Sequence, residues 1–290
     1  MHYGKALPTI LAVLAIGGID SRAETAKPDP SLRVTLERAY SAWRSSMSAG
    51  DLDLWEKATA FSRQIETRNR IVSQRLPFPQ ALFDDPVEAP SVARLTPMGV
   101  LSTGTTATST YYGKANFGPG EGSGVTDNLL VLHFLREETH WKFDNLRIVK
   151  LGNDGDVLLQ IRNGDFSFLQ GEEFQPASQL PAIPQPVEPP EYIAEAWIDS
   201  TGCETTITVN GHLTGKFKNI KTTELVMGGL RRGENRISIE TKRLEEGANT
   251  SPKVEVAIYA TKDPSEGADR VYHYRPDSVG QSVSETFVPE

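Results

Sequence analysis

Around Met98 the spacing of apolar residues changes, and that change limits the architectures open to this chain. Upstream, Leu32, Leu36, Ala39, Tyr40, Trp43 and Met47 recur at steps of three and four, which places them on one stripe of an α-helix. Asp29-Pro30 supplies an N-cap with a first-turn proline, and Gly50 a stop. Trp55, Ala58, Ile65 and Val72 continue a buried face along a second helix that starts near Asp51 or Asp53 and ends before Pro77. Arg63 and Arg70 share a face of that helix, as do Arg68 and Arg75, and they read as solvated surface. From residue 98 the period is two, which predicts strands over 98–103, 107–117, 127–136 and 140–151. The glycine-dense stretch Gly118–Gly124 between two of them lacks the spacing of a phosphate-binding loop and reads as a hairpin tip. In the last strand Trp141 and Phe143 share one parity while Leu146 and Ile148 share the other, so a bulge is expected near Asp144-Asn145.

A second block follows a break in composition. Residues 171–190 carry Pro176, Pro181, Pro184, Pro186, Pro189 and Pro190, the make-up of a stiff polyproline spacer. Beyond it, strands are expected over 191–199, 203–210, 223–228, 235–242, 253–261, 270–275 and 283–288, a spacing suited to a sandwich. Asn210-Gly211 supplies a tight hairpin turn. The predicted fold class is therefore α+β: helices on a curved antiparallel sheet, followed by a separate all-β sandwich. The expected segments are 1–23 as signal peptide, 24–170 as the α+β domain, 171–190 as linker and 191–290 as sandwich.

Two resemblances attach to these blocks. The stretch Ala42-Trp43-Arg44-Ser45-Ser46-Met47-Ser48-Ala49-Gly50-Asp51-Leu52-Asp53, with Trp141-Lys142-Phe143-Asp144, resembles the nuclear transport factor 2-like (SnoaL-like) superfamily over residues 31–151. That resemblance implies a cone of helices against a bent sheet, in a superfamily that holds isomerases and cyclases beside many non-catalytic domains. Val209-Asn210-Gly211 and Gly229-Leu230-Arg231-Arg232-Gly233-Glu234-Asn235-Arg236-Ile237 are similar to galactose-binding-like jelly-roll modules, whose framework turns they match.

Location is read from the start of the chain. His2 and Lys5 precede an apolar run from Ala6 to Ile19, and Ser21-Arg22-Ala23 offers small residues where a signal peptidase cuts. The run is shorter than the roughly 20 residues that span a bilayer. Export to the periplasm, cell surface or medium is expected, with no integral membrane segment after cleavage. Cys203 is the only cysteine, so no intramolecular disulfide forms, and the cysteine reads as a small buried side chain. A net charge of −8 argues against a nucleic-acid partner.

Candidate chemistry is sparse. His133 shares parity with Leu129, Val131 and Leu135, a lone imidazole among aliphatics, and could act as a general base with Tyr111 or Tyr112 as donor. The alternative is a structural histidine. His133, Glu137, Glu138 and His140 match no zinc spacing, and neither Asp84-Asp85 nor Asn153 with Asp154 and Asp156 completes a calcium loop. No metal site and no cofactor are expected. Tyr272 and Tyr274 share parity and could stack on a ligand's rings or face the core; Trp197 is expected in the core. These features favour an exported, non-catalytic binding or scaffold protein with a protein or glycan partner, or self-association through sheet edges. The rival is an isomerase- or dehydratase-like enzyme working in the first domain's pocket.

Overall fold

The computed structural model describes residues 26–84, 89–115, 126–151, 155–244 and 251–289. The segment 1–23, the whole of Gly118–Gly124, Asp85 and Asn153-Asp154 lie outside the described residues. The chain divides into two compact units that do not follow its order: Met1–Arg44 with Val87–Leu180, and Ser45–Pro86 with Pro181–Glu290. The architecture is α+β, with one antiparallel sheet in the first unit and two in the second.

In the first unit the sheet runs in the order β1 (Lys27–Pro28), β2 (Thr96–Ser102), β3 (Thr106–Ala115), β4 (Thr126–Glu137), β5 (His140–Lys150). Strand β4 is apolar on both parities because both of its faces are covered. Leu130, Leu132 and Phe134 pack with Leu36 and Tyr40 of α1 (Arg33–Ala49). Leu129 and Val131 pack on the other face with Leu169 and Phe174 from the short turns at Ser167–Gln170 and Glu172–Phe174. The bulge falls where the parity switch places it: His133 faces Asn145 while Phe134 faces Phe143, and Asp144 is the extra residue. It brings Trp141, Phe143, Leu146 and Ile148 to one core.

The second helix of the sequence reading is two helices, α2 (Leu52–Ala58) and α3 (Phe61–Ser73). Asp51 caps α2 by accepting from the Leu54 amide at 2.9 Å. The chain then extends at Thr59 and Ala60, and the Gln64 side chain donates to the freed carbonyls of Glu56 (2.7 Å) and Thr59 (2.8 Å). A short helix, α4 (Gln80–Phe83), follows. These helices belong to the second unit; in the first, α1 as far as Arg44 packs on one face of the sheet and α5 (Gly155–Arg162) on the other.

The sandwich pairs one sheet, β13 (Ser282–Phe287), β10 (Asn235–Arg243), β7 (Cys203–Val209), β8 (His212–Lys218), with another, β12 (Asp269–Tyr274), β11 (Lys253–Thr261), β6 (Ile193–Thr201), β9 (Lys221–Leu225). Ile198, Ile207, Ile237, Ile239 and Ile258 are fully buried between them, each contributing about 2 kcal/mol of transfer energy. Cys203 lies in the same core. Strand β8 returns from the Asn210-Gly211 turn although its sequence lacks a clear alternation. Thr214 is bulged, and the Phe217 ring folds over Gly215, where any Cβ would collide with it.

The proline-rich segment after Leu180 is docked along α3. Asn69 donates to the Gln185 carbonyl at 2.8 Å and accepts from the Val187 amide at 3.0 Å. Arg68 donates to the Val187 carbonyl (3.0 Å) and Arg75 to that of Pro190 (2.8 Å), while Arg70 pairs with Glu224 on β9 at 2.5 Å. Three of the four arginines read as solvated surface are therefore clamps, and Arg63 pairs with Glu66 on its own helix at 2.9 Å. Replacing Asn69 with Ala strands a buried amide and a carbonyl. It should cost about 3 kcal/mol in urea unfolding and make 181–190 a preferred site of limited proteolysis.

Candidate functional site

Strand register decides whether the three candidate catalytic residues meet. His133 is half-buried on β4, opposite Thr108 of β3 and Asn145 of β5, on the face that carries Leu129 and Val131. The chain after α5 crosses this face, where the Thr108 hydroxyl donates to the Phe174 carbonyl at 2.7 Å and that of Thr106 to the Ala177 carbonyl. Tyr111 lies on the opposite face with Leu36 and Tyr40, and its hydroxyl donates to the Glu37 carboxylate at 3.1 Å. Burial, reinforced by Glu37, pushes that phenol above its ordinary range. Tyr112 shares a face with His133, but it pairs with Leu129, four residues along β3 from the Thr108 position, about 13 Å at strand rise. Its hydroxyl donates to Asp127 at 2.6 Å, and this bond raises its pKa more than burial does. The sheet brings none of the three within proton-transfer reach of another.

In the sandwich the tyrosine pair takes the core side of its two readings, whereas Trp197, expected in the core, does not. Tyr272 is 9% exposed, its ring centre 5.1 Å from that of Phe287, and its hydroxyl donates to Glu285 at 2.7 Å. Burial pushes its pKa up strongly, and burial also raises that of Tyr274, which packs half-buried on the same core. Trp197 sits on the outer face of its sheet, because Ala194, Ala196 and Ile198 occupy the inward positions of β6. The signal for this was present: Trp197 is flanked at two-residue spacing by Glu195 and Asp199, which share its parity.

That outer face carries an ordered array of charges across all four strands. Asp199 of β6 accepts from Lys253 of β11 at 2.9 Å and pairs with Lys221 of β9 at 3.2 Å, and its other oxygen accepts from the Thr201 hydroxyl at 2.6 Å. Glu255 bonds Lys253 at 2.9 Å and His273 of β12 at 3.0 Å. Burial opposes the charge on Asp199, whose side chain is 1% exposed. The hydrogen bonds from Thr201, Lys253 and Lys221 outweigh it and hold the carboxyl at about 2. Glu255 is likewise lowered, by Lys253 and then His273. Among the described residues no three His, Cys, Asp or Glu side chains are grouped to hold a metal, and burial pushes the Cys203 thiol up.

No family model, curated protein or solved structure matches the chain.

The lowered pKa of Asp199 predicts an acid dependence. A carboxyl depressed from an ordinary 3.8 to about 2 contributes stability that is complete above its unfolded pKa and is lost as pH falls from about 4 toward 2. Asp199→Asn removes that contribution, on the order of 1–2 kcal/mol. The urea midpoint of the variant should fall less between pH 5 and pH 2 than that of the native chain; an equal fall would refute the assignment.

Proposed function

We propose that this is an exported, non-catalytic binding or scaffold protein whose sandwich unit carries the recognition surface. The observation that carries the reading is the placement of Tyr111 and His133 on opposite faces of one sheet. A packed layer separates a base from a donor that general acid–base chemistry needs within about 3 Å of a shared substrate. Both faces of that sheet are occupied by the chain's own side chains, which is the use a scaffold makes of such a layer. The sandwich instead carries the half-buried Trp197, the exposed Tyr259 and a fixed polar array on the outer face of one sheet. Export rests on the polar start, apolar run and Ser21-Arg22-Ala23 of the first 23 residues.

The reading is tested by adding labelled full-length protein to isolated envelope fragments of the producing cell. Saturable binding is expected, with the same half-saturation point for native protein and His133→Ala. Absence of saturable binding, or turnover of an enolisable ketone or β-hydroxy acid that His133→Ala abolishes, would replace it with the enzyme reading.

A further inference from the structure

We infer that the outer face of the β12–β11–β6–β9 sheet is a platform for the rings of a neutral polysaccharide, an inference that rests on the binding-protein reading above. Trp197 stands at the middle of the face. Thr223 of β9 lies opposite it on one side and Ala257 of β11 on the other, and Ala257 in turn faces His273 of β12. Tyr259, 37% exposed, is two residues along β11 and therefore diagonal to Trp197, within reach of the same ligand. Ala257 points outward with the smallest side chain on its strand's outer face, yet it is only 3% exposed. Its neighbours on this face, Trp197 and His273 in register and Tyr259 two residues on, are all larger.

A sugar ring offers C–H groups on its faces and hydroxyls around its rim. The indole and phenol supply polarisable ring surfaces for the first. For the second the array supplies donors and acceptors already fixed in place, and hydrogen bonds to charged groups are the stronger kind. The charge balance selects a neutral ligand. Lys221, Lys253, Asp199 and Glu255 cancel within bonded distance of one another. Glu195 and Arg270, the two residues that flank Tyr259 in register, also carry opposite signs. A face whose charges are met internally exerts little field on a charged partner. An acidic glycan would need unpaired cations here, and a basic peptide would need unpaired carboxylates.

The test is native electrophoresis of the full chain through gels containing hydroxyethylcellulose, soluble starch, galactomannan or β-1,3-glucan, with alginate and heparin as charged comparisons. At least one neutral polymer should retard the native protein, and the retardation should persist at about 0.5 M salt, where charge steering is screened. Trp197→Ala should weaken it about tenfold and Tyr259→Ala about threefold, whereas Leu213→Ala, at an exposed position on the other sheet, should leave it unchanged. If Trp197→Ala fails to fold by circular dichroism, Trp197→Phe and Tyr259→Ala carry the comparison. Retardation by no neutral polymer, retardation by alginate or heparin alone, or indifference to both aromatic substitutions would overturn the platform. Envelope binding that survives such a result leaves the binding-protein reading standing; loss of both defeats that reading as well.

Discussion

The second unit depends on satisfying the backbone of a segment that can do little for itself. Residues 185–190 read Gln-Pro-Val-Glu-Pro-Pro, and three of the six have no N–H to donate. Val187 is nonetheless 2% exposed, so its amide and the carbonyls around it must find partners inside the protein. Helix α3 provides them. The Asn69 amide both donates and accepts, as the peptide group of a neighbouring strand would, and Arg68 and Arg75 reach the carbonyls of Val187 and Pro190. Aspartate could not replace Asn69, since an ionised carboxylate cannot donate to Gln185. Ser73, one turn on, accepts from the Gly228 amide at 2.8 Å, extending the same contact to the loop that follows β9. A stretch of helix thereby substitutes for a strand across more than a hundred residues of sequence.

The boundary between the units falls inside α1, after Arg44. Apolar periodicity reports that a helix has a buried stripe, but not which layer the stripe will meet. Leu36 and Tyr40 find the first sheet, whereas the stretch after Ser45 is claimed by polar contacts at Arg68, Asn69, Arg70, Ser73 and Arg75. In sequence, arginines seven apart on a helix look the same whether they face water or a row of carbonyls. The proline-rich stretch misleads for a related reason, because stiffness is intrinsic to its residues while docking is not.

Features dictated by local alternation were legible. The strands of the first sheet, the bulge at Asp144 and most of the sandwich strands follow from which parity holds the large apolar side chains. Strand β8 was hidden because a glycine and a bulged threonine interrupt its alternation, and because the ring that covers Gly215 belongs to Phe217 on the same strand. Among the candidate site residues, the parity of Tyr111 relative to Tyr112 already divides them between two faces. What sequence cannot supply is the strand register that sets His133 beside Thr108 rather than beside either tyrosine.

The array around Asp199 fixes the positions of its side chains as well as contributing stability. Exposed ion pairs contribute about 0–1 kcal/mol each, and Lys221 and Lys253 keep much of their surface in water. A carboxylate taken almost wholly out of solvent on the outer face of a sheet carries a desolvation cost, which its three side-chain donors offset. The outcome is that two ammonium groups, mobile on any ordinary surface, are drawn to one point and held there. Glu255 repeats the arrangement toward His273, so that fixed polar groups cross four strands in line beside Trp197. Ordering flexible side chains before a ligand arrives lowers the entropy lost when it binds.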